Sequence, residues 1–443
     1  MRKGVSQPVT VFHGETAVPG DKSISHRALM LGGLAVGETQ IAGLLEGEDV
    51  LRTADAMRAM GADVERIGPG NWRVSGVGVG GLSEPEDVLE MGNAGTGARL
   101  LMGVLAGHDM TVFLTGDESL RSRPMSRVVT PLAMTGARFV AREGILMPLA
   151  VIGTAEPMPI EYRLPMASAQ VKSAIMLAGL SAPGETIVTE PEATRDHTER
   201  MLRHFGAEVR LETGEAGARR IVLVGQPELV AADILVPRDI SSAAFPLAAA
   251  LIAGEAEVSL LGVGLNPHRS GILLTLLEMG AAIEKRNARE VGGEPVADLI
   301  ATPGSLSGVT VPAERAPSMI DEYPILAIVA AFAEGETRMC GLGELRVKES
   351  NRLTAIRDGL TVNGIEAFVE GDDLIVRGQP GGVPGGGLVE ARHDHRIAMS
   401  FLVMGTASEN AVMVDDLSSI ETSFPGFLDL MNDLGAEIGE VYS

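Results

Sequence analysis

Eight cations stand out in an otherwise acidic chain. Lys22, Arg27, Arg99, Arg123, Arg195, Lys348, Arg352 and Arg396 lie where polar turns meet apolar, helix-patterned runs, or in the adjoining turns. Six such starts read Asp21-Lys22-Ser23, Asn93-Ala94-Gly95-Thr96, Ser168-Ala169-Gln170, Asp239-Ile240-Ser241-Ser242, Ser318 to Glu322 and Asp394-His395-Arg396. A helix N-terminus exposes unpaired N–H groups and the positive end of a dipole, so several converging on one cleft would hold an anion. Arginine adds a planar fork that fits carboxylate or phosphate. The pattern therefore suits a ligand with several negative groups. Any one Ser, Asp or Asn is equally an ordinary N-cap, and Asp239 and Ser241 are read only as caps. Arg99 sits inside an apolar helix, where a packing role explains it as well.

Two stretches pair acids with bases. In RVKESNRL, Lys348, Glu349 and Arg352 are expected within one helical turn, either as a functional cluster or as a surface salt-bridge ladder. In APSMIDEYPILAIVAAFA, Asp321 and Glu322 precede an apolar helix, as caps or as a partly buried general base. His26, beside Arg27, is read as structural. Other chemistries fit poorly. Gly14 stands six residues before Gly20, and Asp21 interrupts the Gly-Lys pair that a phosphate-binding loop requires. His393 and His395 are the one close histidine pair and lack further Cys or His ligands. No Gly-x-Gly-x-x-Gly opens a βαβ unit suitably, so no cofactor and no metal are expected.

The elements that must position these residues repeat. An apolar helical stretch ends in Met60-Gly61-Ala62, Thr135-Gly136-Ala137, Phe205-Gly206-Ala207, Met279-Gly280-Ala281, Asn363-Gly364-Ile365 and Leu434-Gly435-Ala436. These glycines fall 75, 70, 74, 84 and 71 residues apart. A second marker runs in phase at Gly37-Glu38-Thr39, Gly184-Glu185-Thr186, Gly254-Glu255-Ala256 and Gly335-Glu336-Thr337. Six units of βαβα character follow, too long for a thin solenoid and grouped most simply three and three. A first strand is expected over residues 7 to 19, ahead of the first helix. A second crossing between globules is expected near Asp233 to Asp239.

At 443 residues the chain is long enough for two or more domains. It is 45% hydrophobic but only 3% aromatic, so aliphatic side chains and Met must fill the cores. A formal charge of −23 argues against a nucleic-acid or anionic-membrane surface, because those work through clustered cations. The single cysteine, Cys340, excludes an internal disulfide and fits a reducing compartment. The N-terminal residues lack a signal-peptide core and no window reaches about 18 apolar residues, so a soluble cytoplasmic protein is expected.

The motifs PGDKSISHRALML, MGNAGTGARL, SRPM, LPMASAQVKSAIMLAGL, TRDHTERM, APSMIDEYPILA, LRVKESNRL and DHRIAMS together resemble those of the 5-enolpyruvylshikimate-3-phosphate synthases, in their bacterial second-class form. The resemblance spans the chain. It implies the enolpyruvyl transferase fold: α/β, two inside-out α/β barrel domains, each of three βαβαββ repeats. Residues 21–234 would form one domain, residues 1–20 with 235–443 the other, with the active site in the cleft between them. The implied substrates are shikimate 3-phosphate and phosphoenolpyruvate, with glyphosate as inhibitor and a monomer expected.

On the same resemblance, Lys22, Ser23, Arg27, Ser168, Ala169, Gln170, Arg195, Asp321 and Lys348 would bind shikimate 3-phosphate. Lys22, Asn93, Gly95, Thr96, Arg123, Gln170, Lys348, Arg352 and Arg396 would bind phosphoenolpyruvate. Asp321, Glu349 and Lys22 would be catalytic. The chain departs from the first-class pattern at Glu344, at Leu100 and at Thr422-Ser423 ahead of Phe424-Pro425. Gly95, where herbicide-tolerant second-class members often carry Ala, is expected to leave room for glyphosate. One alternative is a UDP-N-acetylglucosamine enolpyruvyl transferase, which normally has Lys-Asn at the first motif and a reactive Cys or Asp in a first-domain loop. Here Lys22-Ser23 and Cys340 stand instead. The other is a non-catalytic anion-binding protein, which would have no need of Asp321 and Glu349.

Overall fold

The run ISSAAFPLAAALI forms a helix over Ile240–Ile252, buried at every residue but the last, and YPILAIVAA forms Tyr323–Ala331, buried throughout. A helix apolar on all sides belongs in the centre of a core. Lys22–Leu34, Gly95–Ala106, Ala169–Gly179 and His395–Ala407 are likewise mostly buried, though they carry polar residues towards their starts. The sheets lie outside these helices and turn exposed faces to solvent, as in Arg138–Arg142, where exposed and half-buried residues alternate. The computed structural model describes residues 2–214, 217–253 and 256–441.

Six four-stranded sheets are present among these residues. Each has one order: a short edge strand parallel to the next, then two antiparallel strands. In one, Leu89–Glu90 runs parallel to Thr111–Thr115, which pairs antiparallel with Leu146–Ile152, which pairs with Arg138–Arg142. The helix Gly95–Ala106 joins the first two strands, and Ser126–Ala133 leads to Arg138–Arg142, which turns back into Leu146–Ile152. This is a βαβαββ unit, and short Gly-containing turns set its pace. All six marker glycines have φ between +82° and +106°, where a Cβ would be strained. Gly37, Gly184 and Gly335 of the second marker share that conformation. Gly254 and Glu255 lie outside the described residues.

The chain divides into two compact units. One comprises Gly20–Val236 with Val291–Glu294; the other comprises Met1–Pro19, Pro237–Glu290 and Pro295–Ser443. In the first, the helix Gly95–Ala106 packs on both Lys22–Leu34 and Ala169–Gly179. Gly103 allows the second contact, since a Cβ there would fall 2.3 Å from the Ala174 carbonyl oxygen. In the second, Ile240–Ile252, Tyr323–Ala331 and His395–Ala407 pack pairwise. Few aromatics take part; Phe424 and Phe427 meet edge to face at 5.3 Å.

The edge strands show how the units close. Ile234–Leu235, just before the helix Ile240–Ile252, runs parallel to Val36–Ala42. Gly14–Thr16, just before the helix Lys22–Leu34, runs parallel to Val258–Gly264. The single strand expected over residues 7 to 19 is instead two, Lys3–Gln7 and Gly14–Thr16. Pro8 has no N–H to extend the first ladder. Lys3–Gln7 completes the sixth sheet, between Val412–Val414 and Glu437–Val441. Among the described residues no helix is long and apolar enough to cross a membrane.

Candidate active site

In the unit Gly20–Val236 the first helix is fixed by Asp21, whose carboxylate accepts from the Ile24 N–H at 2.8 Å. The cap directs Lys22 towards Asp49, with Nζ 2.8 Å from Oδ2. One turn on, Arg27 is buried, and its Nε donates to Thr198 Oγ1 at 2.7 Å, Nη1 to the Ser23 carbonyl at 2.8 Å and Nη2 to Ser173 Oγ at 2.8 Å. His26 is fully buried with Nδ1 2.8 Å from Thr53 Oγ1. Burial first, then the charges of Lys22 and Arg27, hold its pKa well below the usual histidine value. It is a neutral structural residue.

The second and third helix starts meet through side chains. Gln170 Nε2 donates to Thr96 Oγ1 at 2.9 Å, while Arg99 Nη1 reaches the Gly95 carbonyl at 3.2 Å and Gln170 Oε1 at 3.4 Å. Arg123 Nη2 donates to Asn93 Oδ1 at 2.5 Å and Ser119 Oγ at 2.8 Å, and Asn93 in turn donates to Asp117 at 2.7 Å. A Cβ added at Gly95 would stand 2.9 Å from Nη1 of both Arg123 and Arg99. Ser168 caps the third helix, accepting from Val171 at 3.4 Å, with Ala169 and Gln170 in the first turn. Arg195 is half-buried on the loop between the strand Glu185–Glu190 and the helix His197–His204.

In the other unit the acid and base residues converge on Arg352, whose side chain is 1% exposed. Its Nε and Nη2 donate to Asp394 Oδ2 and Oδ1 at 2.8 and 3.2 Å, and Nη1 donates to Asp321 Oδ1 at 3.3 Å. Glu349 Oε2 makes an ion-pair contact with Nη2 at 2.5 Å. Lys348 Nζ reaches the same Asp321 oxygen at 3.3 Å, and Arg396 Nη1 donates to the Asp321 carbonyl at 3.1 Å. Burial alone would lower the pKa of Arg352; Asp394, Glu349 and Asp321 outweigh it and raise it. The guanidinium is permanently charged.

The helical turn expected for Lys348, Glu349 and Arg352 is absent. Gly343–Val347 is a 3-10 turn, Lys348 is extended and the helix begins only at Arg352, capped by Asn351. Polar side chains account for the break: Asn351 Oδ1 accepts from the Thr354 N–H at 3.3 Å, and Ser350 Oγ donates to Asp394 at 3.0 Å. The cluster therefore forms across a bend, around Asp321, and not along a helix face. Asp239 is the cap expected of it, accepting from Ser241 N at 2.8 Å and from Arg269 Nη2 at 3.1 Å. Asp49, Asp117, Ser173 and Thr198 are partners that sequence reasoning missed. Only Asp49 carried any signal, as an acid in a first helical turn beside the motif helix. Among the described residues no group of three or more His, Cys, Asp or Glu could hold a metal ion.

Three repeats to a unit, with buried helices inside, sheets outside and the ionisable side chains gathered at the helix starts, define the architecture of an enolpyruvyl transferase. The family model of EPSP synthase (3-phosphoshikimate 1-carboxyvinyltransferase) matches residues 6–431, and the chain belongs to that family. The 3-phosphoshikimate 1-carboxyvinyltransferase of Acidiphilium cryptum is 63% identical over 432 residues, covering 98% of this chain and 96% of that one. That of Paramagnetospirillum magneticum is 64% identical over 426 residues, covering 96% and 95%. The solved EPSP synthase of Acinetobacter baumannii superposes over the full length of both chains with a TM-score of 0.88 at 44% identity.

Proposed function

We infer that this chain transfers the enolpyruvyl group of phosphoenolpyruvate to the 5-hydroxyl of shikimate 3-phosphate and releases phosphate. It is a shikimate-pathway transferase, and full-length family membership is the observation that carries this. Both substrates are polyanions, which explains why an acidic chain concentrates cations at its helix starts.

In the roles we propose, Lys22, Ser23, Arg27, Ser168, Ala169, Gln170, Arg195 and Lys348 hold shikimate 3-phosphate. Asn93, Gly95, Thr96, Arg123, Gln170, Lys348, Arg352 and Arg396, with Lys22, surround phosphoenolpyruvate. Asp321 takes the proton of the 5-hydroxyl as that oxygen bonds to C2 of phosphoenolpyruvate, while a proton is added at the methylene carbon. Loss of a proton from the resulting methyl group then expels phosphate and restores the double bond. Glu349 and Lys22 handle these carbon and leaving-group protons. Cations nearby offset the charge on the departing phosphate. The convergence of Lys348, Arg352 and Arg396 on Asp321 supports this reading. Arg352, nearly closed off from solvent, also holds the carboxylates Asp394, Asp321 and Glu349 in place.

We further propose the second-class form, on Glu344, Leu100 and Thr422-Ser423, with glyphosate as an inhibitor and a monomer acting in the cytoplasm. Leu100 is buried within the helix Gly95–Ala106, where the Pro of first-class members would remove a helical hydrogen bond. A coupled assay tests the activity: phosphate release from phosphoenolpyruvate should require shikimate 3-phosphate and ignore UDP-N-acetylglucosamine. Release with the sugar nucleotide instead, or with neither acceptor, overturns the reading.

A further inference from the structure

Two bridges lie side by side between the helices Ala169–Gly179 and His197–His204. Lys172 Nζ stands 2.7 Å from Glu199 Oε1 and 3.0 Å from Glu190 Oε1, and all three side chains are fully buried. The residue after Lys172 and the residue before Glu199 make the second bridge: Thr198 Oγ1 donates to Ser173 Oγ at 2.7 Å. Ser173 Oγ donates onward to the Ala169 carbonyl at 2.7 Å. Each hydroxyl has one proton, so Thr198 spends its donor bond on Ser173 and Ser173 spends its own on Ala169, and the oxygens face Arg27 as acceptors. Arg27 uses them, with Nε on Thr198 and Nη2 on Ser173, while Nη1 is held by the Ser23 carbonyl.

We propose that Thr198 and Ser173 are positioning residues for Arg27, forming a hydroxyl relay that fixes the plane of its guanidinium and ties it to the helix start at Ser168–Gln170. This rests on reading Arg27 as a ligand of shikimate 3-phosphate. Three bonds from three segments leave a planar group no freedom to rotate, which aims its fork before the ligand arrives. The buried Lys172 cluster holds the two helices in the register the relay needs. Lys172 Nζ also donates to the Thr194 carbonyl at 3.4 Å, so the neighbouring Arg195 loop is strapped to the same helix.

Calorimetric titration of shikimate 3-phosphate, without phosphoenolpyruvate, tests the relay. Thr198→Val keeps the shape and removes the hydroxyl; affinity should fall roughly tenfold, the size of one hydrogen bond to a charged group. KM for phosphoenolpyruvate should stay within about twofold, because only one ligand contact is disturbed. Thr198→Ser should restore affinity. Ser173→Ala should act like Thr198→Val and serves if that variant does not fold. In an Arg27→Ala background Thr198→Val should add almost nothing. Wild-type affinity in both hydroxyl variants, or the same loss with and without Arg27, overturns the relay. Unchanged affinity in Arg27→Ala alone would instead overturn the ligand role on which it rests.

Discussion

Arg352 and Asp394 form a two-pronged ion pair, at 2.8 and 3.2 Å, in which the side chains are 1% and 0% exposed. Such a pair costs much to desolvate, and removing Asp394 takes the two-bond partner from a buried charge that Glu349 and Asp321 then offset less completely. Asp394→Ala should destabilise the protein by about 3–5 kcal/mol in urea unfolding. Cutting the exposed pair Arg286–Glu284 should cost about 1 kcal/mol or less. Equal losses would mean that the buried pair does not organise the cluster.

Activity should depend on the acids and the lysine for a different reason. Asp321→Ala, Glu349→Gln and Lys22→Met should each fold, by circular dichroism, yet lose about 100-fold or more in phosphate release. Near wild-type turnover in any one would remove that residue from the proton transfers.

His26 gives the stability a pH dependence. Its folded-state pKa lies well below the 6.5 of an unfolded histidine, mainly through burial. Above pH 6.5 neither state is protonated there. As pH falls below it, the unfolded chain takes up a proton that the folded one refuses, so stability drops until the folded pKa is passed. The slope approaches about 1.4 kcal/mol per pH unit. His26→Gln should remove that part of the decline between pH 6.5 and 5; parallel unfolding curves for the two proteins would contradict it.

Gly95 offers a steric test. A methyl group there would press on the ends of the Arg123 and Arg99 side chains, both 2.9 Å away. Those ends are flexible, so the fold should survive. One methyl in a tight site is worth about 10- to 200-fold in discrimination. Gly95→Ala should raise the glyphosate inhibition constant by such a factor while KM for phosphoenolpyruvate moves much less. A matched change in both would show that Gly95 serves only helix packing.

The repeat was legible because its punctuation is backbone chemistry: a glycine with positive φ after each second helix cannot readily be replaced, so it survives as a visible marker. The helix starts were legible for a similar reason, since caps such as Asp21, Ser168 and Asp394 must be polar. Partnerships across the chain were not. Thr198 lies 171 residues from Arg27, and nothing in TRDHTERM distinguishes a relay hydroxyl from a surface one. The bend at Ser350 and Asn351 was hidden because RVKESNRL has good helical charge spacing, which local side-chain hydrogen bonds override. The N-terminal strand was misjudged because its partners are the last strands of the chain.

That last pairing bears on how the protein is made. All three sheets of the unit Gly20–Val236 are built from residues 36–235, so a growing chain can finish them before its second half is synthesised. Lys3–Gln7 must wait for Val412–Val414 and Glu437–Val441, more than 400 residues downstream. Contacts so distant in sequence form slowly and leave an unpaired edge exposed meanwhile. Proteolysis of ribosome-stalled chains would show whether the first half is protected early. A strand made so long before its partners is thus among the last to find its place, and the interval between is when a chaperone would matter most.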